Sequence, residues 1–223
     1  MKYLLVDPGK VSESWYEKRQ CPNLGLAYIG SYLQAHNQDV NMLDMATYNI
    51  DSEILSIYVR DYKPDVVGFS AASFNILDAY DGIKAVKRAN KKTITVLGGS
   101  HASALPDRCR KECKELDIVI VGNGETEMLN LNHIKGKGVR IRPHIQNLDD
   151  LPFPDWSMYD LSQYSKSYSY AFDREEQILP AVTARGCPFA CKFCFPLHGR
   201  DMRYRSRKNI LDELKNNIDV YGV

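Results

Sequence analysis

The sequence predicts an α/β protein built on a doubly wound, five-stranded parallel sheet. Three observations carry this. Short β-branched runs alternate with helical stretches along the first 135 residues. The runs Val66-Val67-Gly68-Phe69 and Ile118-Val119-Ile120-Val121 are almost continuously apolar, as strands covered on both faces are. Small residues follow four of the strands, where such folds make tight turns into helices.

Residues 2–7 read as the first strand, and residues 24–36 as the helix after it. A second strand over 39–44 leads into a helix over 52–62. The third strand spans 65–70 and its helix 75–89. A fourth strand over 93–97 precedes a helix over 107–115. The fifth strand covers 117–121, and a last helix runs from 125 to about 133. Each strand is followed by a helix, which is the repeat of a parallel sheet with crossover connections.

Ligands of such sheets sit beyond the carboxyl ends of the strands. There the chain places Asp7-Pro8-Gly9, Ser70-Ala71-Ala72-Ser73, Gly98-Gly99-Ser100-His101 and Gly122-Asn123-Gly124-Glu125. One such loop is most simply a tight turn. Four on one rim point to a crevice for a broad ligand, because glycine lets a ligand approach the backbone.

Residues 136–170 read as a linker. Gly136, Gly138 and Pro143 break the pattern, and Pro152-Phe153-Pro154-Asp155-Trp156 favours extended backbone. Residues 171–223 start a second unit. A strand is expected over 178–183 and a helix over 206–220, with Ser206 as N-cap and Ile210, Leu211, Leu214 and Ile218 as its apolar stripe. Between them lies Arg185-Gly186-Cys187-Pro188-Phe189-Ala190-Cys191-Lys192-Phe193-Cys194. Three thiolates at C-x3-C-x2-C spacing are soft ligands suited to an iron–sulfur cluster or zinc. With His198, four residues beyond Cys194, structural zinc is an alternative.

Composition excludes several classes. The 223 residues carry 29 basic and 28 acidic side chains, a net charge of +1, so no basic field suggests nucleic acid. No apolar stretch has the length of a membrane span. Six cysteines are too few for a disulfide scaffold, and no secretory leader opens the chain, so a reducing cytoplasm is expected. Cys21, Cys109 and Cys113 read as structural.

The cysteine motif, the apolar run before it and the preceding Arg-Gly resemble the radical S-adenosylmethionine enzymes. Pro22-Asn23-Leu24-Gly25-Leu26-Ala27-Tyr28-Ile29, together with the strand-end motifs, resembles the flavodoxin-like cobalamin-binding domain that precedes many of them. The resemblance implies a 4Fe-4S cluster on Cys187, Cys191 and Cys194, whose open iron is chelated by S-adenosylmethionine, with Phe193 packed near the adenine. It implies cobalamin held by Asp7, Gly25, Leu26, Ser70, Ala71, Ser73, Gly98, Gly99, Ser100, His101, Gly122, Gly124 and Glu125. Many cobalamin-binding domains place a cobalt-ligating histidine after the first strand. The loop Asp7-Pro8-Gly9-Lys10-Val11-Ser12-Glu13 has none, and His101 reads as a polar loop residue. The implied function is reductive cleavage of S-adenosylmethionine for methyl transfer or related radical chemistry on an unreactive carbon. The alternatives are a non-catalytic cobalamin module, a methylthiotransferase-like protein and a zinc-stabilised interaction protein. A complete β/α barrel needs on the order of 200 residues. The second unit is therefore expected to be the start of a barrel, completed by a longer chain or a second one, and the substrate is not readable.

Overall fold

The structure is a computed structural model that describes residues 1–9, 21–133, 136–141, 143–164 and 177–223. Its centre is a parallel sheet in the order β2-β1-β3-β4-β5-β6. The strands are β1 (Lys2–Asp7), β2 (Asp39–Asp44), β3 (Val66–Ser70), β4 (Ile94–Gly98), β5 (Ile118–Val121) and β6 (Gly138–Ile141). The sixth strand is one more than the sequence suggests. It lies in the stretch read as linker, where two glycines mask a four-residue ladder with β5 that runs from Gly138 beside Ile118 to Ile141 beside Val121.

Side chains alternate across the strands and feed two cores. Leu4, Val6, Val67, Phe69, Leu97 and Val119 face one side, against α2 (Ser52–Tyr62), α3 (Ile76–Ala89) and α5 (Pro106–Glu112). Tyr3, Leu5, Val66, Val96, Ile118 and Ile120 face the other, against α1 (Leu24–Ala35) and α6 (Glu125–Leu129). Asn23 caps α1 by accepting from Leu26 N, and Asp51 caps α2 by accepting from Glu53 N and Ile54 N. The short α4 (Ser100–Ala104), absent from the sequence reading, starts directly after Gly99 at φ +91°. Five residues offer no helical periodicity to read.

The strand order reverses between β1 and β3, which opens a crevice at their carboxyl ends. After the sheet, Trp156, Tyr159 and Tyr164 pack on the α1 side of the core, and Trp156 is fully buried. The rest of the linker reading, residues 165–170, lies outside the described residues, as do 171–176. No strand forms over 178–183. Ala184–Arg185 (β7) instead pairs antiparallel with Arg203–Tyr204 (β8), closing the cysteine loop as a hairpin. Backbone order is local there: Arg205 N donates to Thr183 O and Cys187 N to Gly199 O.

The final helix, α7 (Arg207–Tyr221), is capped by Ser206, whose hydroxyl accepts from Asn209 N. It buries Glu213 and Asn217 and leaves Leu211, Leu214, Ile218 and Val220 exposed. Arg205 forms an ion pair with Glu213 and donates to the Tyr28 hydroxyl of α1. No helix among the described residues is long and apolar enough to cross a membrane.

Candidate functional site

A cleft of about 410 Å³ opens at the switch point. Asp7 from β1, Ser70 and Ala71 from β3, Gly99 and Ser100 after β4, and Gly122 to Glu125 after β5 form its walls. Asn23 closes one end and donates to Asp7 Oδ2 at 3.1 Å. Asn75 shapes the β3–α3 turn, donating to Pro8 O at 2.8 Å while its Oδ1 accepts from Ala72 N at 2.9 Å. Phe74, 88% exposed, stands at the mouth.

A narrow apolar slot of about 50 Å³ runs beneath the cleft, on the α1–α6 side of the sheet. Strand register explains it. Gly68 lies beside Val96 and Ser70 beside Gly98, so two glycines leave a gap on the face that Val66 and Val96 otherwise fill. The gap is capped by Met128 and Ile29. A Cβ on Gly68 would sit 2.9 Å from Met128 Cε, and one on Gly124 2.7 Å from Ile29 Cδ1. Met128 is a flexible side chain whose end can move aside.

Two buried polar atoms on the cleft wall have no partner among the described residues, Asn123 Nδ2 and Glu125 Oε2. Such atoms are rare in folded proteins and mark places where a ligand or water completes the site. Residues 18–132 match the B12 binding domain. The chain belongs to that family. Over 91% of its length it is 28% identical to an uncharacterized methyltransferase of Pyrococcus horikoshii. Over all of it the identity is 26% to the cytidylyl-2-hydroxyethylphosphonate methyltransferase of Streptomyces wedmorensis and 28% to the anaerobic magnesium-protoporphyrin IX monomethyl ester cyclase of Rubrivivax gelatinosus. The chain spans about half the length of these relatives: 47%, 53% and 44%. In fold, 99% of it superposes on the cobalamin-dependent S-adenosylmethionine radical enzyme OxsB, solved with aqua-cobalamin and S-adenosylmethionine bound. There the TM-score is 0.73 and the identity 18%, over 32% of that chain.

The residues of this B12 binding domain fit its cofactor. The orphaned amide and carboxylate oxygen offer hydrogen bonds, and the glycine gap offers a slot with no side chain in it. Of the residues expected from sequence, Asp7, Gly25, Ser70, Ala71, Gly99, Ser100, Gly122, Gly124 and Glu125 line the cleft. Leu26 and Gly98 line the slot. Ser73 and His101 are not among the residues lining either. They bond to each other, Ser73 Oγ to His101 Nδ1 at 2.9 Å, and the imidazole is buried.

The cysteine loop sits beside this cleft. Arg185, only 6% exposed, donates to Glu125 Oε1 at 2.7 Å and stacks over the Tyr28 ring at 5.0 Å. His198 bonds through Nδ1 to Asn123 Oδ1 at 2.9 Å. Arg203 donates to Ile145 O at 2.7 Å and to His198 O at 2.5 Å. Gly186, at φ +103°, lies so close to Asp201 that a Cβ would fall 2.1 Å from its carbonyl oxygen, so this turn requires glycine. Burial and the neighbouring Arg185 push the His198 pKa down to about 4, and burial with Arg203 lowers that of His144.

Cys191 and Cys194 are exposed, Cys187 half-buried, and Phe193 is 94% exposed. Among the described residues no three His, Cys, Asp or Glu side chains gather as a metal site. The donor chemistry suits a cluster, three thiolates on one loop, but the loop as folded does not converge them. His198 is engaged by Asn123, not by the cysteines. Sequence reasoning missed Asn23, Asn75, Arg185 and His198 as cleft residues. The signal was present for Arg185, in the Arg-Gly before Cys187, but its ion pair with Glu125 spans 60 residues.

Proposed function

We propose that this chain is the cofactor-binding part of a cobalamin-dependent radical S-adenosylmethionine enzyme acting in methyl transfer or related radical chemistry. Cobalamin would lie in the cleft between Asp7, Ser70 and the Gly122–Glu125 loop, with its nucleotide tail in the slot over Gly68 and Gly98. Cys187, Cys191 and Cys194 would hold a 4Fe-4S cluster, and Phe193 would pack on the adenine of S-adenosylmethionine. When bound, the cluster supplies the electron that cleaves S-adenosylmethionine, and cobalamin supplies methyl-group chemistry. The chain's own residues bind and orient. Asn123 and Glu125 present unfilled hydrogen-bonding atoms to the cleft. The apolar slot excludes water from whatever fills it.

One observation supports the pairing of the two functions. The cysteine loop is fastened to the β5–α6 loop of the cleft by two side-chain links, Arg185 to Glu125 and His198 to Asn123. A loop tied in this way is held against the cleft wall on both sides of its cysteines, at Arg185 and His198.

Anaerobic reconstitution of the 223-residue chain tests the reading. The expected product is brown, holds about four irons and four sulfides by the ligation logic of such clusters, and binds cobalamin. Cys191→Ala abolishes the colour, and Cys113→Ala, buried behind α5, does not. A colourless protein with stoichiometric zinc would sink the cluster assignment.

A further inference from the structure

His198 occupies an unusual position on the cleft wall. It comes from the cysteine loop, yet it lines the cofactor cleft with Asn123, Glu125 and Arg185. Its Nδ1 lies 2.9 Å from Asn123 Oδ1. A carbonyl oxygen only accepts, so Nδ1 carries the ring proton and Nε2 keeps its lone pair. Nε2 is not among the buried polar atoms that lack partners, and no protein donor reaches it among the described residues. It is therefore an accessible, unsatisfied acceptor in the cleft.

The guanidiniums of Arg185 and Arg203 and the Glu125 carboxylate stand around it. Arg185 is neutralised by Glu125, and Arg203 donates to the backbone carbonyls of Ile145 and His198. His144 packs against both Gly122 and Gly199. A neutral acceptor beside a closed ion pair suits a neutral donor. Among the groups on the rim of a corrinoid, primary amides are such donors. A carboxylate at the same place would set lone pair against lone pair.

We infer that His198 is a specificity-determining residue for the corrinoid, its Nε2 accepting a hydrogen bond from one primary amide on the ring periphery. The inference rests on the proposed cobalamin site and deepens it. It also gives the cysteine loop a direct contact with the cofactor, so that loop and cofactor are held in one register through a single imidazole.

Equilibrium dialysis of the 223-residue chain against hydroxocobalamin tests it, with unfolding midpoints measured in parallel. Loss of one such hydrogen bond predicts roughly five- to tenfold weaker binding by His198→Ala. His198→Gln, which returns an acceptor oxygen near the Nε2 position, should bind within about threefold of the parent. The ligand is then varied: corrinoids with one peripheral amide hydrolysed to a carboxylate are compared singly. One isomer should bind the parent at least tenfold more weakly than hydroxocobalamin, and that penalty should shrink in His198→Ala. Equal binding by parent and His198→Ala overturns the inference, as does an equal loss in both variants or an isomer penalty that His198→Ala leaves unchanged. If the parent chain binds no cobalamin at all, the proposed site itself fails, which is a separate outcome.

Discussion

Gly98→Val is the cleanest probe of the slot. Gly98 ends β4 on the same face as Val96, two residues earlier, and that face borders the slot. A Cβ there meets nothing nearer than Phe69 O at 3.9 Å, an ordinary contact. The slot is narrow, and an added isopropyl group would stand in it. Replacing glycine in a strand by a β-branched residue is itself favourable by about 0.5–1 kcal/mol. The unfolding midpoint should thus stay within about 3 °C of the parent or rise. Cobalamin affinity should fall at least tenfold, about 1.4 kcal/mol. Gly99 cannot serve for this purpose. At φ +91° its Cβ would lie 2.5 Å from Ala71 O and 2.7 Å from Ala71 N, so Gly99→Leu disturbs the backbone before it touches a ligand. Thermal unfolding and equilibrium dialysis on Gly98→Val decide the matter. Unaltered affinity in a folded variant would refute the assignment of the tail to this slot.

Other outcomes follow from the same contacts. Removing one member of the buried Arg185–Glu125 pair should cost about 3 kcal/mol or more in chemical denaturation, while Glu125→Gln with Arg185→Met should recover most of it; additive losses would show that the pair is not coupled. Folded His198 holds its proton only below about pH 4, whereas the unfolded residue takes one up near 6.5, so stability should decline as pH falls from about 6.5 toward 4. Partial exposure limits this contribution to roughly 1–2 kcal/mol, and His198→Gln should flatten that slope; an unchanged slope would exclude His198 as its source. Bound cob(II)alamin should show no protein nitrogen hyperfine splitting in its paramagnetic resonance spectrum, since the loop after β1 contains no histidine and His198 is assigned to the corrin periphery.

How far the fold was legible depends on where its stabilising contacts lie in sequence. The strands at 2–7 and 39–44 and the helix at 52–62 coincide with β1, β2 and α2 because each carries its own apolar period. The strand at 138–141 has no such period: two of its residues are Gly138 and Arg140, and its partner is β5 alone. The segment at 178–183 shows the reverse. Its apolar residues read as a strand, yet Leu179 and Val182 pack against the domain core as irregular backbone. The cleft was legible where backbone conformation dictates glycine or a small residue. It was illegible at His198, whose place on the cleft wall depends on a contact with Asn123, 75 residues away.

The last helix inverts the usual reading of amphipathicity. Of the stripe that sequence assigns to a core, Leu211, Leu214 and Ile218 face outward, only Ile210 is half-buried, and α7 buries Glu213 and Asn217 instead. Physical chemistry allows this only because Arg205 supplies the counter-charge. Arg205 also donates to Val182 O at 2.9 Å and to Asn209 Oδ1 at 2.6 Å, so its guanidinium is nearly saturated. Burial pushes the Glu213 carboxyl pKa up, and Arg205 opposes that shift. The two residues are not interchangeable in their effect. Glu213→Gln keeps a polar group against Tyr28 but leaves the buried Arg205 guanidinium without its counter-charge, so it too should cost about 3 kcal/mol, and about equally at pH 5 and pH 8. Arg205→Leu strands a carboxylate in the interface, for a loss of about 3 kcal/mol or protonation of Glu213 in its place. Urea unfolding at pH 8 and at pH 5 separates these: the Arg205→Leu deficit should shrink at the lower pH, where Glu213 takes up its proton. A deficit equal at both values would mean that α7 is held by its hydrogen bonds alone and that the ion pair is incidental.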